Sequence, residues 1–360
     1  MMIQMKCDYK KNIFFIYLIS RCIYIFIIIH AIGFNFNIEE IYSFCDNEHY
    51  ITIAQNGYTE KWQTAFFPLI PFLIRTIGIK GVFIVNQIAS ILSMYILESL
   101  TEDTYAVELF AFSVNSFFSL MLYTESLLFF FTILGYYMFK RRYLDVRLGI
   151  IIGLCVFTKA IGAMIYITIF IGMIILYLQD KLKKRSFVEV FLPATVISCI
   201  YPVYLQITFG NWKLFIDCQY DYWKRIKINF IQEILIQIKF ICSNARHIYK
   251  INEILSLIMV IFILYQLIYY IYNYLEKESF CDMIILVLYT LFSIISINAT
   301  IRIPVNDAPT TSFYRYYYCI FPIFIFASKL KKYPKEGIYI CSNALSFGAA
   351  YLFSKNFYFY

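Results

Sequence analysis

Charge is what this 360-residue chain has least of. Asp, Glu, Lys and Arg together make up 15% of it, where soluble domains carry about a quarter. That scarcity excludes an ordinary water-soluble domain. The ten cysteines contain no CxxC pair and no zinc-like spacing, which removes the usual sequence basis for a zinc site. Most of them lie in apolar runs, where a thiol behaves as a small hydrophobe. Cys45, Cys218 and Cys242 fall in polar loops, and their spacing alone does not say whether any two pair. No repeat, low-complexity linker or shift of composition divides the chain, so one domain over residues 1–360 is expected. The missing repeat also weighs against a transporter or scramblase, a class in which inverted repeats are common. No small-residue cleavage site follows the first apolar segment, 12–34, which is longer than a signal peptide's core. It is expected to stay as a span, with Lys6, Lys10 and Lys11 in the cytosol.

What the chain has instead is apolar length. Hydrophobic residues make up 61%, and runs of about 20 residues, enough to cross a bilayer, recur from end to end. The expected fold is all-α: a polytopic helical membrane protein of about nine to eleven membrane helices. The 37 Phe and 34 Tyr accompany abundant Ile, Asn and Lys, the mixture an A/T-rich coding sequence produces, so they are no sign of an aromatic cage. Nothing points to a nucleic-acid partner.

Lys and Arg in short loops mark the cytosolic side. KCDYKK at the N-terminus, KRRYLDVR at 140–147, DKLKKR at 180–185 and KLKKYPK at 329–335 all qualify. About thirty apolar residues separate Arg147 from Asp180, and a single crossing would put one cluster on the wrong face. Two short helices meeting near Lys159 satisfy both ends. Applied along the chain, the rule places spans at 12–34, 81–100, 104–122, 124–139, 148–160, 162–178, 187–207, 254–275, 280–300, 316–328 and 338–354. The opposite face then receives 35–80, 208–253 and 301–315, with the turns at Tyr123–Glu125 and Lys159.

These outer loops carry the polar residues. The stretch 209–250 is basic on the side that is normally poor in Lys and Arg, with Lys213, Lys224, Arg225 and Lys227 among its cations. Two readings stand: the loop binds an anion such as phosphate, or it lies on lipid headgroups with Trp212, Tyr220, Tyr222 and Trp223 at the interface. In CDNEHYITIAQNGYTEKWQTAFFPLIPFL, residues 45–73, Asp46 and His49 are one helical turn apart. Gly57 permits a tight turn, and the run 65–79, interrupted by Pro68 and Pro71, reads as an interfacial helix holding the polar loop at the membrane surface. Arg21, in the middle of the first span, is expected to be paired inside the bundle.

The pattern D46-N-E-H49-Y50, then IAQNGY, then AFFPLIP resembles the GPI mannosyltransferase 2 (PIG-V) family. YTESLLFFFTILGYY at 123–137 is similar to the family's Y-(S/T)-E-S-L segment. GLCVFTKAIG at 153–162 stands where the family carries an R-S-N-G turn, and FGNWKLFIDCQYDYWKR resembles a stretch of its bacterial relatives. The likeness covers about residues 40 to 225. It departs from the family at Cys45, where Trp is common.

The resemblance implies a GT-C-like glycosyltransferase in the endoplasmic reticulum membrane, with a luminal catalytic loop after the first span. It implies transfer of mannose from dolichol phosphate mannose to a GPI lipid precursor, forming an α-1,6 bond. Both substrates are lipids, so a site at the membrane surface reaches each without extracting it from the membrane lipids. A phosphate leaving group needs no general acid. One carboxylate acts as base, and Asp46 is the candidate. His49, Tyr50, Glu125, Lys159, Trp223, Arg225 and Arg315 are the candidate substrate-binding residues, the cations among them for phosphate. No cofactor is expected. A metal requirement, an accessory membrane subunit and a different acceptor for the same donor chemistry stay open.

The orientation has a direct test. Single cysteines introduced at 159 and at 213 are expected to react with impermeant reagents from one side of sealed microsomes, and cysteines at 144 and 182 from the other. Labelling of 159 from the cytosolic side would undo the hairpin.

Overall fold

In hydrocarbon no water satisfies a peptide group, so apolar runs close their hydrogen bonds internally as helices. The structure, a computed structural model, describes residues 2–33, 46–274, 279–302, 309–310 and 313–354. Its helices are α1 Met2–Ile32, α2 Asp46–Asn56, α3 Leu69–Thr101, α4 Thr104–Ala111, α5 Val114–Phe118, α6 Glu125–Lys140, α7 Val146–Thr158, α8 Ala163–Leu178, α9 Lys184–Phe209, α10 Leu214–Asp221, α11 Phe230–Ile241, α12 His247–Tyr274, α13 Phe280–Asn298, α14 Phe313–Tyr317, α15 Pro322–Ser328 and α16 Lys332–Ser354. A short ribbon pairs β1, Arg225–Lys227, antiparallel with β2, Thr300–Arg302, with Arg225 opposite Arg302.

Among the described residues, six helical segments are long and apolar enough to cross a membrane: Asn12–Ile32, Leu69–Thr101, Ala160–Leu178, Lys184–Phe209, Tyr249–Tyr274 and Phe280–Asn298. Their outward side chains, such as Phe26, Ile84, Val196, Ile207 and Ile268, are exposed and apolar, as a lipid-facing surface requires. Of the other expected spans, 124–139 and 148–160 form shorter helices, 104–122 and 316–328 are broken, and 338–354 lies in α16, a continuous helix of 23 residues that is less apolar. α7 has 13 residues and so is about 20 Å long, short of the bilayer core, and it packs along α9.

Two expected spans are not single helices. The stretch 104–122 divides into α4 and α5, and its last residues leave helical geometry. The peptide groups this frees are taken by neighbouring side chains: Asn86 Nδ2 donates to the Met121 carbonyl at 2.9 Å, Gln87 Nε2 to Ser119 at 2.6 Å, and Asn47 Oδ1 accepts from Leu122 N at 3.0 Å. Such breaks persist at membrane depth only when protein seals them. Arg21 is buried against the same segment, donating to the Ser116 carbonyl at 2.7 Å and to the Ser116 and Ser119 hydroxyls. The expected span 316–328 is likewise divided between α14 and α15, with Pro322 opening α15 where its missing N–H costs nothing. The run 65–79 and the span 81–100 are joined in α3, which is interrupted at Gly78 with φ +72°.

The basic loops meet at one end of the bundle. Arg142 bonds Asp282 at 2.9 Å and Lys335 bonds Asp103 at 2.8 Å. Lys329 lies over the Tyr274 ring, and Lys181 and Ser186 share a cleft with Arg142–Asp145. The α7–α8 hairpin turns at the other end, at Lys159. There Gly162 packs so tightly that a Cβ would sit 2.0 Å from the Cys155 carbonyl oxygen.

Glycine also sets the approach of α7 to α9. A Cβ on Gly149 would lie 2.2 Å from the Val190 carbonyl oxygen and 2.5 Å from Pro193 Cγ. Gly149→Ala is expected to destabilise the fold by about 1–3 kcal/mol through overpacking. Gly337→Ala, where a Cβ meets nothing within 4 Å, is expected to be neutral or stabilising. Thermal unfolding in detergent compares the two.

Candidate active site

The end opposite the basic loops holds the charged residues of the outer loops and turns. Asp46 is the first residue of α2 and Glu125 the first of α6. Lys159 is the extended residue between α7 and the 3-10 turn Ala160–Gly162, and Arg315 lies at the centre of α14. The four form one cluster. Glu125 Oε1 lies 2.9 Å from Lys159 Nζ and 3.1 Å from Arg315 Nε, and Arg315 Nη2 lies 3.2 Å from Asp46 Oδ2.

Their exposures differ, and the difference assigns them separate parts. The Glu125 side chain is 0% exposed and Arg315 5%, whereas Asp46 is 25% and Lys159 22%. Glu125 has no open face and serves the two cations beside it. Asp46 and Lys159 line the accessible side. Burial disfavours the Lys159 ammonium, but Glu125, aided by Tyr316, more than offsets it and raises the group above its ordinary range. Arg315 does not snorkel to a headgroup: its guanidinium is enclosed by the Phe118, Tyr123 and Tyr316 rings at 5.2, 4.8 and 5.1 Å. Its Nη1 is buried and makes no hydrogen bond.

Five consecutive residues, DNEHY, face five surroundings. Asp46 meets Arg315, Asn47 is bonded to Leu122, and Glu48 is exposed. Tyr50 is buried with its hydroxyl beside Thr124. His49 packs against Trp62 and Phe66 at 4.9 and 5.0 Å between ring centroids. It is part of an aromatic wall, and the group that meets Asp46 is Arg315. Trp223 completes the wall against Trp62 and Phe66 at 6.4 and 5.9 Å, with its indole Nε1 buried and unpartnered.

The turn beneath the wall is fastened as its sequence suggests. Gly57 adopts φ +75°, Gln63 Oε1 accepts from the Thr59 and Glu60 amides at 2.8 and 2.9 Å, and the Tyr201 hydroxyl donates to the Thr64 carbonyl at 2.8 Å.

Of the basic residues at 213–227, only Arg225 is drawn toward the cluster. Burial lowers it below the usual guanidinium range, Arg302 and Arg315 lower it further, and Tyr316 partly compensates. Lys213, Lys224 and Lys227 are exposed. Lys224 donates to the Asp221 carbonyl at 2.8 Å, and Lys227 lies over the Tyr220 ring. Cys218 and Cys242 are free thiols, and Cys45 lies outside the described residues.

Tyr316 joins this cluster without being among the residues singled out in the sequence. Lys159 Nζ sits 4.0 Å from its ring centroid, and its hydroxyl accepts from Arg315 Nη2 at 3.2 Å. Only adjacency to Arg315 signals it in the sequence.

No protein-family model matches this chain, and no curated protein or solved structure matches it.

Breaking the cluster separates its structural from its accessible members. Glu125→Ala strands two buried cations and is expected to cost about 3–5 kcal/mol. Asp46→Asn, at a partly exposed pair, is expected to cost about 1 kcal/mol or less. Equal melting temperatures for the two variants would show that burial of Glu125 carries no stability.

Proposed function

We propose that the chain is an integral-membrane mannosyltransferase of GPI-anchor biosynthesis, moving mannose from dolichol phosphate mannose to the first mannose of the GPI precursor in an α-1,6 bond. The observation that supports it is the convergence of Asp46, Glu125, Lys159 and Arg315, from separate stretches of the family resemblance and beyond it, at one end of the bundle. In this reading that end faces the lumen of the endoplasmic reticulum and the N-terminus faces the cytosol.

The division of exposure suits the chemistry. The acceptor hydroxyl oxygen attacks the anomeric carbon as the carbon–oxygen bond to phosphate breaks, and the electron pair leaves with dolichol phosphate. Asp46, ionised and accessible, takes the hydroxyl proton. Displacement from the opposite face inverts the sugar centre, through an oxocarbenium-like state. Lys159 and the unpaired Nη1 of Arg315 stabilise the departing phosphate, with Arg225 adding to the local positive field. Glu125 is a positioning residue: closed off from substrate, it holds both cations where the phosphate charge develops. The aromatic wall of His49, Trp62, Phe66 and Trp223, rings packed edge to face, offers an apolar surface for a sugar or lipid chain.

Cells lacking the second GPI mannose provide the test, read by surface GPI-anchored proteins. Asp46→Asn is expected to cut transfer roughly 10²- to 10⁴-fold while leaving expression and membrane insertion intact. Glu48→Gln, exposed and turned elsewhere, should behave as wild type. Arg315→Lys keeps the charge but not the planar donor fork and should weaken use of the lipid donor. Full complementation by Asp46→Asn would refute the mechanism, and failure of the wild type to complement would refute the choice of acceptor.

A further inference from the structure

A second polar cluster lies in the bundle beside α14, and the transferase reading makes no use of it. It begins with the unusual polarity of α11. Ile231, Leu235 and Ile238, on one stripe of this helix, are 71%, 53% and 45% exposed, while Glu233 and Gln237 on the opposite stripe are 0% and 1% exposed. The apolar face points out, as against lipid, and the polar face points in. An inward polar face needs something polar to meet.

It meets a second buried carboxylate. Glu253, on the first turns of α12, is 0% exposed and close enough for its charge to act on Glu233. Glu253 Oε1 accepts from Thr310 N and Oγ1 at 3.0 and 2.8 Å, and Glu233 Oε1 accepts from Gln237. The other oxygen of each carboxylate is buried without a partner. Two more buried oxygens are unpartnered, Gln237 Oε1 and Asn252 Oδ1, and the Ser256 hydroxyl is buried with the Tyr317 hydroxyl as its neighbour. The Gln237 amide touches Glu233 and the Asn252 amide lies 3.4 Å from Glu253. Ser256 lies beside Tyr317, whose hydroxyl donates to Asn298 Oδ1 at 2.7 Å. No ion pair to Lys or Arg is formed by either glutamate among the described residues.

We propose that Glu233, Gln237, Asn252, Glu253 and Ser256 hold a divalent, oxygen-preferring cation of the Mg²⁺, Mn²⁺ or Ca²⁺ class between α11 and α12. Two carboxylates supply the charge such an ion needs, and amide and hydroxyl oxygens complete a hard-ligand set with no sulfur or imidazole. A proton shared by the two acids would relieve their repulsion but leave the amide oxygens unmatched, and buried acceptors are rarely left so. The cation takes all of them at once. Its place also gives it a task. By fixing Glu253 it fixes Thr310, three residues ahead of α14, and so the helix that carries Arg315. This assignment does not depend on which group the protein transfers.

The full-length protein in detergent, stripped with EDTA and titrated with Mn²⁺, is the test. Electron paramagnetic resonance is expected to show a single tightly held Mn²⁺ per chain, and the melting temperature to rise as the ion is restored. The isosteric variants E233Q and E253Q should each weaken Mn²⁺ binding at least about 100-fold, given that loss even of supporting groups around a metal costs about 10- to 100-fold. Absence of bound Mn²⁺ in the wild type overturns the proposal whatever the variants do. So does a double variant E233Q/E253Q that binds Mn²⁺ as the wild type does.

Discussion

Glu125 is fully enclosed at the start of α6, and its two cations, Lys159 at 2.9 Å and Arg315 at 3.1 Å, come from the α7–α8 turn and from α14. A carboxylate removed from water costs several kcal/mol unless charge and hydrogen bonds compensate it. The adjacent Thr124 hydroxyl offers a hydrogen bond but no charge, so the position of Glu125 obliges two distant segments to meet it. Arg315 in turn reaches Asp46 across 269 positions. One requirement of charge balance thereby brings α2, α6, the α7–α8 turn and α14 to a common point.

The broken traverses serve the same end. A continuous helix over 104–122 would carry its side chains past this point on a regular spiral. The break after α5 instead leaves Phe118 and Tyr123 against the Arg315 guanidinium and places Thr124 beside Glu125. The exposed peptide groups are then sealed by Asn47, Asn86 and Gln87. Asn47 is next to Asp46, so the residue that seals the break also sets the depth of the accessible carboxylate. Backbone irregularity and charge cluster are two parts of one arrangement, and neither persists in hydrocarbon without the other.

Much of the outer surface is apolar while polar residues gather inside, at Arg21, around Glu125 and around Glu233 and Glu253. α11 shows the inversion most plainly, with isoleucines outward and a glutamate inward. In lipid the driving force for helix association is packing and polar contact rather than hydrophobic burial. Close glycine approaches, as at Gly149 and Gly162, and internal polar clusters are the means available to hold such a bundle together.

Hydropathy by itself determined that the chain is a helical, multi-pass membrane protein, because an apolar run of bilayer length has only the helix to satisfy its backbone. The distribution of Lys and Arg determined more: the 140–147, 180–185 and 329–335 loops belong together and 148–178 must turn back near Lys159, which the shared end of the bundle reproduces. Asp46, Glu125, Lys159 and Arg315 were each legible as outer-end residues. What sequence could not supply was partnership. His49 stands one helical turn from Asp46, yet its ring is held by Trp62 and Phe66, because spacing gives a face of a helix and not what packs on it. The breaks at 112–113, 119–122 and 318–321 were hidden for a related reason. Hydropathy continues unbroken through them, and the groups that pay for a broken backbone lie elsewhere in the chain. Only the tertiary structure decided that Glu125 is enclosed while Asp46 stays open, since burial of Glu125 depends on Lys159 and Arg315, which arrive from distant segments of the chain.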